Sequence, residues 1–488
     1  MNIRAPLALI LCLQLSTGAA QGLPDLGDAS VAALSETQER TFGNRIMREV
    51  RIDPAYVDDP DVADYISSLG SRLLTGTEGP RRDLSFFAVQ DDAVNAFALV
   101  GGHIGVHTGL LILTQNESEL AGVMAHEIAH IVQRHQARAI HGQSRAQWTS
   151  LAALALAILA SRGASSSQSG QVTEAAVASM SAFQMQNMLD YTREHEREAD
   201  RVGLTILERT GFDPRGMGTF FERLLRANRL NEFKGAPSYL RTHPLTTERI
   251  ADMQDRLQAA PSRLVPDSFE YRLARAKLRA AAGSVTESVT LFRSMLADAT
   301  VVRPREDVFG MALALRRARD FDGAWKTLAP LRAGATAQPA FEALAGQLLA
   351  DQGRSDEALA LYRAALRSFP RSRGLVYGYL NLLLQVGRPR EVSADLDDRL
   401  RTVQDDAQLY EIQARAFAAS GRQIGQHRAQ AEAHYRRGNL AAAVDQLEIA
   451  VRVKTDDFYE ISSVESRLRE LRALLENERA AEKALKIS

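Results

Sequence analysis

His126-Glu127-Ile128-Ala129-His130 sets two imidazoles and a carboxylate at a spacing that can do chemistry. Histidines four apart on a helix lie one above the other on a single face. Both rings can then reach one tetrahedral zinc ion. Glu127 can project to the same side, take a proton from an attacking water and pass it to a leaving amine. The bland alternative is an accident of pattern on an amphipathic helix.

Two histidines need at least a third ligand. The segment Tyr191 to Gly203, YTREHEREADRVG, offers Glu194, Glu196 and Glu198. On a helix Glu196 shares a face with Asp200, and Gly203 lies near that face, where another helix can approach closely. Glu198 points away and Glu194 lies off the face. Glu196 is therefore the expected third ligand, and Asp200 the carboxylate that orients a ligand histidine. The competing reading of EHERE is a solvated, charged helix face. His103 and His107 alternate onto one face of a strand; they are candidate ligands, but a core-edge or solvent-facing role is preferred. His135 and His141 read as surface residues.

Several elements must position these groups. Asn116 and Glu119 form a capping box, and Leu120, Val123, Met124, Ile128 and Ile131 recur at helical spacing. No Gly or Pro interrupts Met124 to Ala139. Before it, Leu84 to Val89, Ala96 to Val100 and His103 to Thr108 read as strands, with Gly101-Gly102 as a hairpin turn. A substrate can add itself to the edge of such a sheet. Glu36 to Val50 and Asp61 to Leu74 have helical spacing. Between the ligand segments, Trp148 to Ala160 and Thr173 to Leu189 read as an apolar helical hairpin around Ser165 to Ser169. Trp148 to Ala160 is too short to span a bilayer. Ordinary core packing is the preferred role for its methionines; a mobile lid or peripheral membrane contact is the alternative. Asp213-Pro214 opens a further helical stretch that runs to about Gln258.

Pro261 to Pro266 marks a boundary, and beyond it a period appears. Gly353, Gly387 and Gly421 stand 34 residues apart, as do Ala324 and Ala358. A Gly turn followed by Ala at a close helix contact is the pattern of tetratricopeptide repeats. About five helical hairpins are expected, irregular between Gly421 and Gly438, with a terminal helix from Phe458 to about Lys483. Such hairpins stack into a solenoid whose concave side can hold a peptide or a partner segment.

Lys and Arg number 59 and Asp and Glu 60, so bulk charge gives no reason to expect a nucleic-acid partner. At the N-terminus, Arg4, the apolar run Leu7 to Leu15 and Gly18-Ala19-Ala20 read as a signal peptide cleaved near Ala20. An N-terminal anchor helix is the alternative. Cys12, the single cysteine, lies inside this segment, so the mature chain is expected to have neither disulfide nor thiol chemistry. An exported chain of this kind suits a bacterial periplasm. The expected organisation is a signal peptide over 1–20, a metalloprotease domain over 21–262 and a repeat domain over 263–488.

HEIAH, the later EREAD, the preceding NAFALVGGHIGVHTGLL and the downstream THPLTTERI together resemble the M48 zinc metallopeptidases. More narrowly, the chain resembles periplasmic bacterial members that carry a C-terminal tetratricopeptide domain. The resemblance implies a mainly α fold: a zincin-like domain with a small β-sheet, then an α-solenoid. It implies one Zn2+ per chain held by His126, His130 and Glu196, with Glu127 catalytic. The family's H-P motif falls on His243-Pro244, and that histidine can take the fourth zinc position and hold the enzyme latent. Arg249, from the same motif, is a candidate contact to substrate or site. Implied substrates are misassembled outer-membrane β-barrel proteins, and the implied partner is the barrel-assembly machinery. The alternative function is a chaperone or assembly adaptor whose protease site is largely silent.

Overall fold

The computed structural model describes residues 36–78, 83–140, 182–229, 238–259, 263–297, 304–334 and 337–487. The expected signal segment with Cys12, His141 and nearly all of the apolar hairpin lie outside the described residues.

Helix α1 spans Glu36–Ile52 and α2 spans Pro60–Leu74. Asp59 caps α2 by accepting from the amides of Asp61 and Val62, and Pro60 stands where a missing N–H costs nothing. Its apolar face, Val62, Ile66, Leu69 and Leu73, is buried in the main core.

Three strands follow, β1 Ser85–Val89, β2 Ala96–Leu99 and β3 His103–His107. The sheet order is β1-β3-β2, with β1 parallel and β2 antiparallel to β3. Gly101 and Gly102 make the β2–β3 turn at φ 87° and 92°, backbone that side-chain-bearing residues avoid. A short helix α3, Thr108–Leu113, leads to α4, Glu117–Val132.

Every residue of α4 from Glu117 to Ala129 is buried, so this helix is the axis of the core rather than a surface amphipath. Asn116 accepts from the Glu119 amide at 3.0 Å as expected. Glu119 departs from a closed capping box by accepting from the Gln115 amide at 2.7 Å. The helix does not run on to Ala139. Gln133 ends it, Arg134 has φ 52°, and α5 spans His135–Ile140. Around α4 pack α6, Ala182–Thr210, and α7, Arg215–Arg229. The stretch to Gln258 is completed by α8, Ser238–Thr242, and α9, Thr247–Ala259, separated by a loop at Pro244.

From Phe269 on, helical hairpins follow one another. They are α10 Phe269–Ala281 with α11 Val285–Ala297, α12 Arg305–Arg317 with α13 Phe321–Arg332, and α14 Pro339–Asp351 with α15 Ser355–Ser368. Then come α16 Arg373–Gln385 with α17 Pro389–Arg399, and α18 Ala407–Ala419 with α19 Gln423–Arg436. Gly353, Gly387 and Gly421 turn three of these hairpins at φ 76°, 73° and 71°. A Cβ at any of the three would meet nothing within 4 Å, so backbone conformation and not space requires glycine. Ala324 and Ala358 are fully buried on second helices. The five expected hairpins are present, followed by α20 Leu440–Arg452 and the terminal α21 Phe458–Ile487. Gly438, at φ 80°, turns α19 into α20, which is why the period shortens there.

The hairpin array is tied to the first region. Lys277 of α10 pairs with Asp59 at 2.7 Å and Asp61 at 2.5 Å, and Arg373 of α16 with Asp64 at 2.6 Å. The N-termini of α4 and α10 cap each other: Asp267 accepts from the Glu117 amide at 2.7 Å, and Glu117 accepts from the Ser268 amide at 2.8 Å. Among the described residues no helix is long and apolar enough to cross a membrane.

Candidate active site

Helix α4 carries His126 and His130, α6 carries Glu196 and Asp200, and the loop after α8 carries His243. The helices meet closely because Gly203 has no side chain. A Cβ there would stand 3.2 Å from the His126 amide and 2.8 Å from the Met217 side chain. A larger residue would push α6, and with it Glu196, away from α4.

The result is a tight convergence of donors. His126 Nε2 lies 3.1 Å from His130 Nε2 and 3.3 Å from Glu196 Oε2. His130 Nε2 is 3.3 Å from Glu196 Oε1. His243 Nδ1 is 3.0 Å from Glu196 Oε1 and 3.4 Å from His126 Nε2. One ligand-capable atom from each of the four residues lies within 4.8 Å of all the others. Among the described residues no other cluster of His, Cys, Asp or Glu converges this way. Glu127, 1% exposed, lies alongside, its Oε1 without a hydrogen bond and 3.4 Å from His243 Nε2. Three imidazoles and a carboxylate converging on one point, all buried except the partly exposed His130, fit a tetrahedral metal of the zinc type.

A further layer holds these groups. Asp200 Oδ1 lies 3.0 Å from His126 Nδ1, the nitrogen facing away from the cluster. Arg249 donates twice to Asp200, both at 2.8 Å, and lies 2.9 Å from Glu196 Oε2. It also donates to the carbonyl of Pro244 at 2.8 Å. From the sequence Arg249 is a candidate contact to substrate or site. Its guanidinium is turned inward, 1% exposed, joining both carboxylates of α6 to the His243 loop.

The electrostatics follow from burial and these partners. Burial opposes charge on Glu196, yet His243, His126 and His130 hold its carboxyl well below the usual range. Burial pulls His126 down, but the carboxylates of Asp200 and Glu196 outweigh it and lift the ring to about 10. His130 is dominated by burial and falls to about 4. Protein carboxylates thus supply the counter-charge for a cation in this core.

The sequence points to all of these residues but puts His135 on the surface; in the structure it is 3% exposed, with its Nδ1 2.9 Å from His130 Nδ1. The available signal is a histidine five residues past His130, which helical spacing alone would turn away from it. His103 and His107 are buried core-edge residues outside the cluster, His103 bonded to Ser85 Oγ at 2.6 Å and His107 3.5 Å from Asp91.

Fold, cluster and motifs define a metallopeptidase, and the chain belongs to peptidase family M48, whose description its residues 60–257 match. It is 34% identical to the beta-barrel assembly-enhancing protease of Escherichia coli (strain K12) over 433 residues, 88% of this chain and 87% of that one. It is 31% identical to the protein of the same name from Yersinia pestis, covering 95% of this chain and 94% of that one. Among solved structures, a tetratricopeptide repeat protein from Parabacteroides merdae aligns over 59% of this chain at TM-score 0.30 and 12% identity.

Proposed function

We propose that this chain is a periplasmic zinc endopeptidase acting in quality control and assembly of outer-membrane β-barrel proteins. Misassembled barrels are its substrates and the barrel-assembly machinery its partner. The names of the long relatives support this client class. The observation that carries the chemistry is the convergence of His126, His130, Glu196 and His243 beside Glu127. We take 1–20 as an export signal, 21–262 as the protease domain and 263–488 as a repeat domain that recruits clients or partners.

In this reading His126, His130 and Glu196 hold one zinc. When bound, zinc supplies Lewis acidity that polarises a scissile carbonyl and lowers the pKa of water. Glu127 takes the proton of the attacking water and returns it to the leaving amine. Asp200 fixes the ring of His126 through its far nitrogen. Arg249 neutralises Asp200 and Glu196 and positions the Pro244 carbonyl, so it acts through other residues and not on substrate. An unpaired strand of a misassembled barrel can add to the β2 edge, where Gln136 now donates to the Ala98 carbonyl at 2.7 Å and would give way.

His243 is the latency element. A zinc site with four protein ligands is closed, and one with three keeps a place for water or substrate. His243 sits on a loop, within reach of the other ligand atoms, so its withdrawal would open the site. Replacing it with Ala should raise background proteolysis with zinc retained; unchanged or lower activity would remove the switch from this account.

The whole reading is tested with Glu127→Gln. Degradation of a misassembled barrel protein should fall by about 10²–10⁴-fold, the usual share of a general base, while zinc content stays at one per chain. Activity persisting at the wild-type level would refute it. A second reading, an assembly adaptor with a largely silent protease, is supported by the place of His243 among the other donor atoms. It predicts that Glu127→Gln still promotes barrel assembly and clears defective barrels fully.

A further inference from the structure

Helices α4 and α5 meet at a break that no Gly or Pro announces. Arg134 adopts φ 52° there. Left-handed backbone at a non-glycine residue is strained, and strain of this kind collects at functional sites. On an unbroken helix His135 would lie about 140° around the axis from His130, with the rings apart. The break instead brings His135 Nδ1 to 2.9 Å from His130 Nδ1. His135 Nε2 lies 3.2 Å from Glu198 Oε2, which also accepts from Arg138 at 2.9 Å. His195 stacks flat on the His135 ring, centroids 4.2 Å apart and planes 6° apart.

We infer that His135 is a positioning residue that fixes the tautomer and ring orientation of His130 and passes the anchoring on to Glu198. This rests on the reading that His130 holds zinc through Nε2. A neutral imidazole that gives Nε2 to a metal carries its proton on Nδ1 and must donate there. Its neighbour at 2.9 Å is another ring nitrogen, so His135 Nδ1 must accept. The proton of His135 is then on Nε2, which faces the Glu198 carboxylate, an acceptor. All donors and acceptors in the chain Glu198–His135–His130 match in that one arrangement. The two ligand histidines are therefore held differently. His126 has a carboxylate directly behind it, and His130 has an imidazole with a carboxylate one step further back. Outer partners of this kind raise ligand basicity and orient the ring.

Zinc affinity of the full chain, measured by chelator competition, tests the assignment. His135→Leu should weaken zinc binding about 10–100-fold, the usual effect of losing an outer partner. His135→Asn, whose side-chain oxygen can accept in place of Nδ1, should recover most of that loss. Glu198→Gln should weaken binding less than His135→Leu. Urea unfolding of the zinc-free proteins checks that the fold is kept, and if His135→Leu does not fold, Glu198→Gln decides alone. Wild-type affinity in His135→Leu, equal losses in Leu and Asn, or an unaffected Glu198→Gln would overturn the proposal. His130→Ala separates the two failures. If it abolishes tight binding, the ligand assignment stands whatever His135 does; if it does not, the assignment of His130 itself has failed.

Discussion

The region that holds His126 withdraws Glu119, Glu127, Glu196, Asp200 and Arg249 from water. Among the described residues from Phe269 onward, the one polar side chain buried to that degree is Ser288. The first region places charge in its core, where each group needs partners on several elements: Asp200 touches α4 through His126 and the α9 side through Arg249. The hairpin array buries Ala, Leu, Tyr and Phe between neighbouring helices and leaves its ions near the surface, as Arg363 and Glu391 show at 43% and 42% side-chain exposure. The difference teaches what each part is for. Buried charge is a poor way to gain stability and a good way to hold a cation and a base. Nearest-neighbour apolar packing builds an extended surface without demanding long-range precision.

The sharpest way to break this contrast is to remove one ion from each region. Arg249→Met leaves Asp200 and Glu196 buried without their cation and should cost about 3–5 kcal/mol in the unfolding of the zinc-free protein. Arg363→Met, at an exposed pair, should cost no more than about 1 kcal/mol. Similar losses in denaturant titrations would show that the two regions do not differ as described.

A pH titration sharpens it outside the cluster of His126, His130, Glu196 and His243. Burial, helped by Arg51, lowers His103 to about 4. Its folded pKa lies below the unfolded value of about 6.5, so the unfolded chain binds the extra proton first. The stability contribution is complete above about pH 6.5 and is lost as pH falls toward 4. The loss should be on the order of 3 kcal/mol. His103→Gln should flatten that part of the profile, and a slope identical to wild type would count against it.

The smallest effect belongs to the array. Arg319 stands one 34-residue period before Gly353 and has φ 62°, the conformation its glycine counterparts adopt freely. Arg319→Gly should stabilise by about 1 kcal/mol, read as a higher urea midpoint. A lower midpoint would show that the Arg side chain contributes more than the strain it carries.

Much of this was legible in the chain. The H-E-x-x-H spacing, the shared face of Glu196 and Asp200, the Gly-turned sheet and the Gly period are local patterns, and helix or strand geometry converts them directly into faces and turns. The inward turn of Arg249 was not legible. Its partners lie on α6 and at Pro244, and no local rule distinguishes an arginine aimed at substrate from one aimed at a buried carboxylate. The place of His135 was not legible either, because α4 breaks at Arg134 without a breaker residue; tertiary contacts, including the Arg134 pair with Glu39 at 2.8 Å, accompany a turn that propensity would not choose.

By itself the sequence determined which side chains can bind a metal, which face of each helix carries them, and where the hairpins turn, since these depend on periods of a few residues. Only the tertiary structure decided that His243 joins the other three donors, that Arg249 and Asp200 neutralise each other behind them, and that His135 stands under His130. Those facts depend on how α4, α6 and the Pro244 loop approach one another, and that is set by packing between segments far apart in the chain.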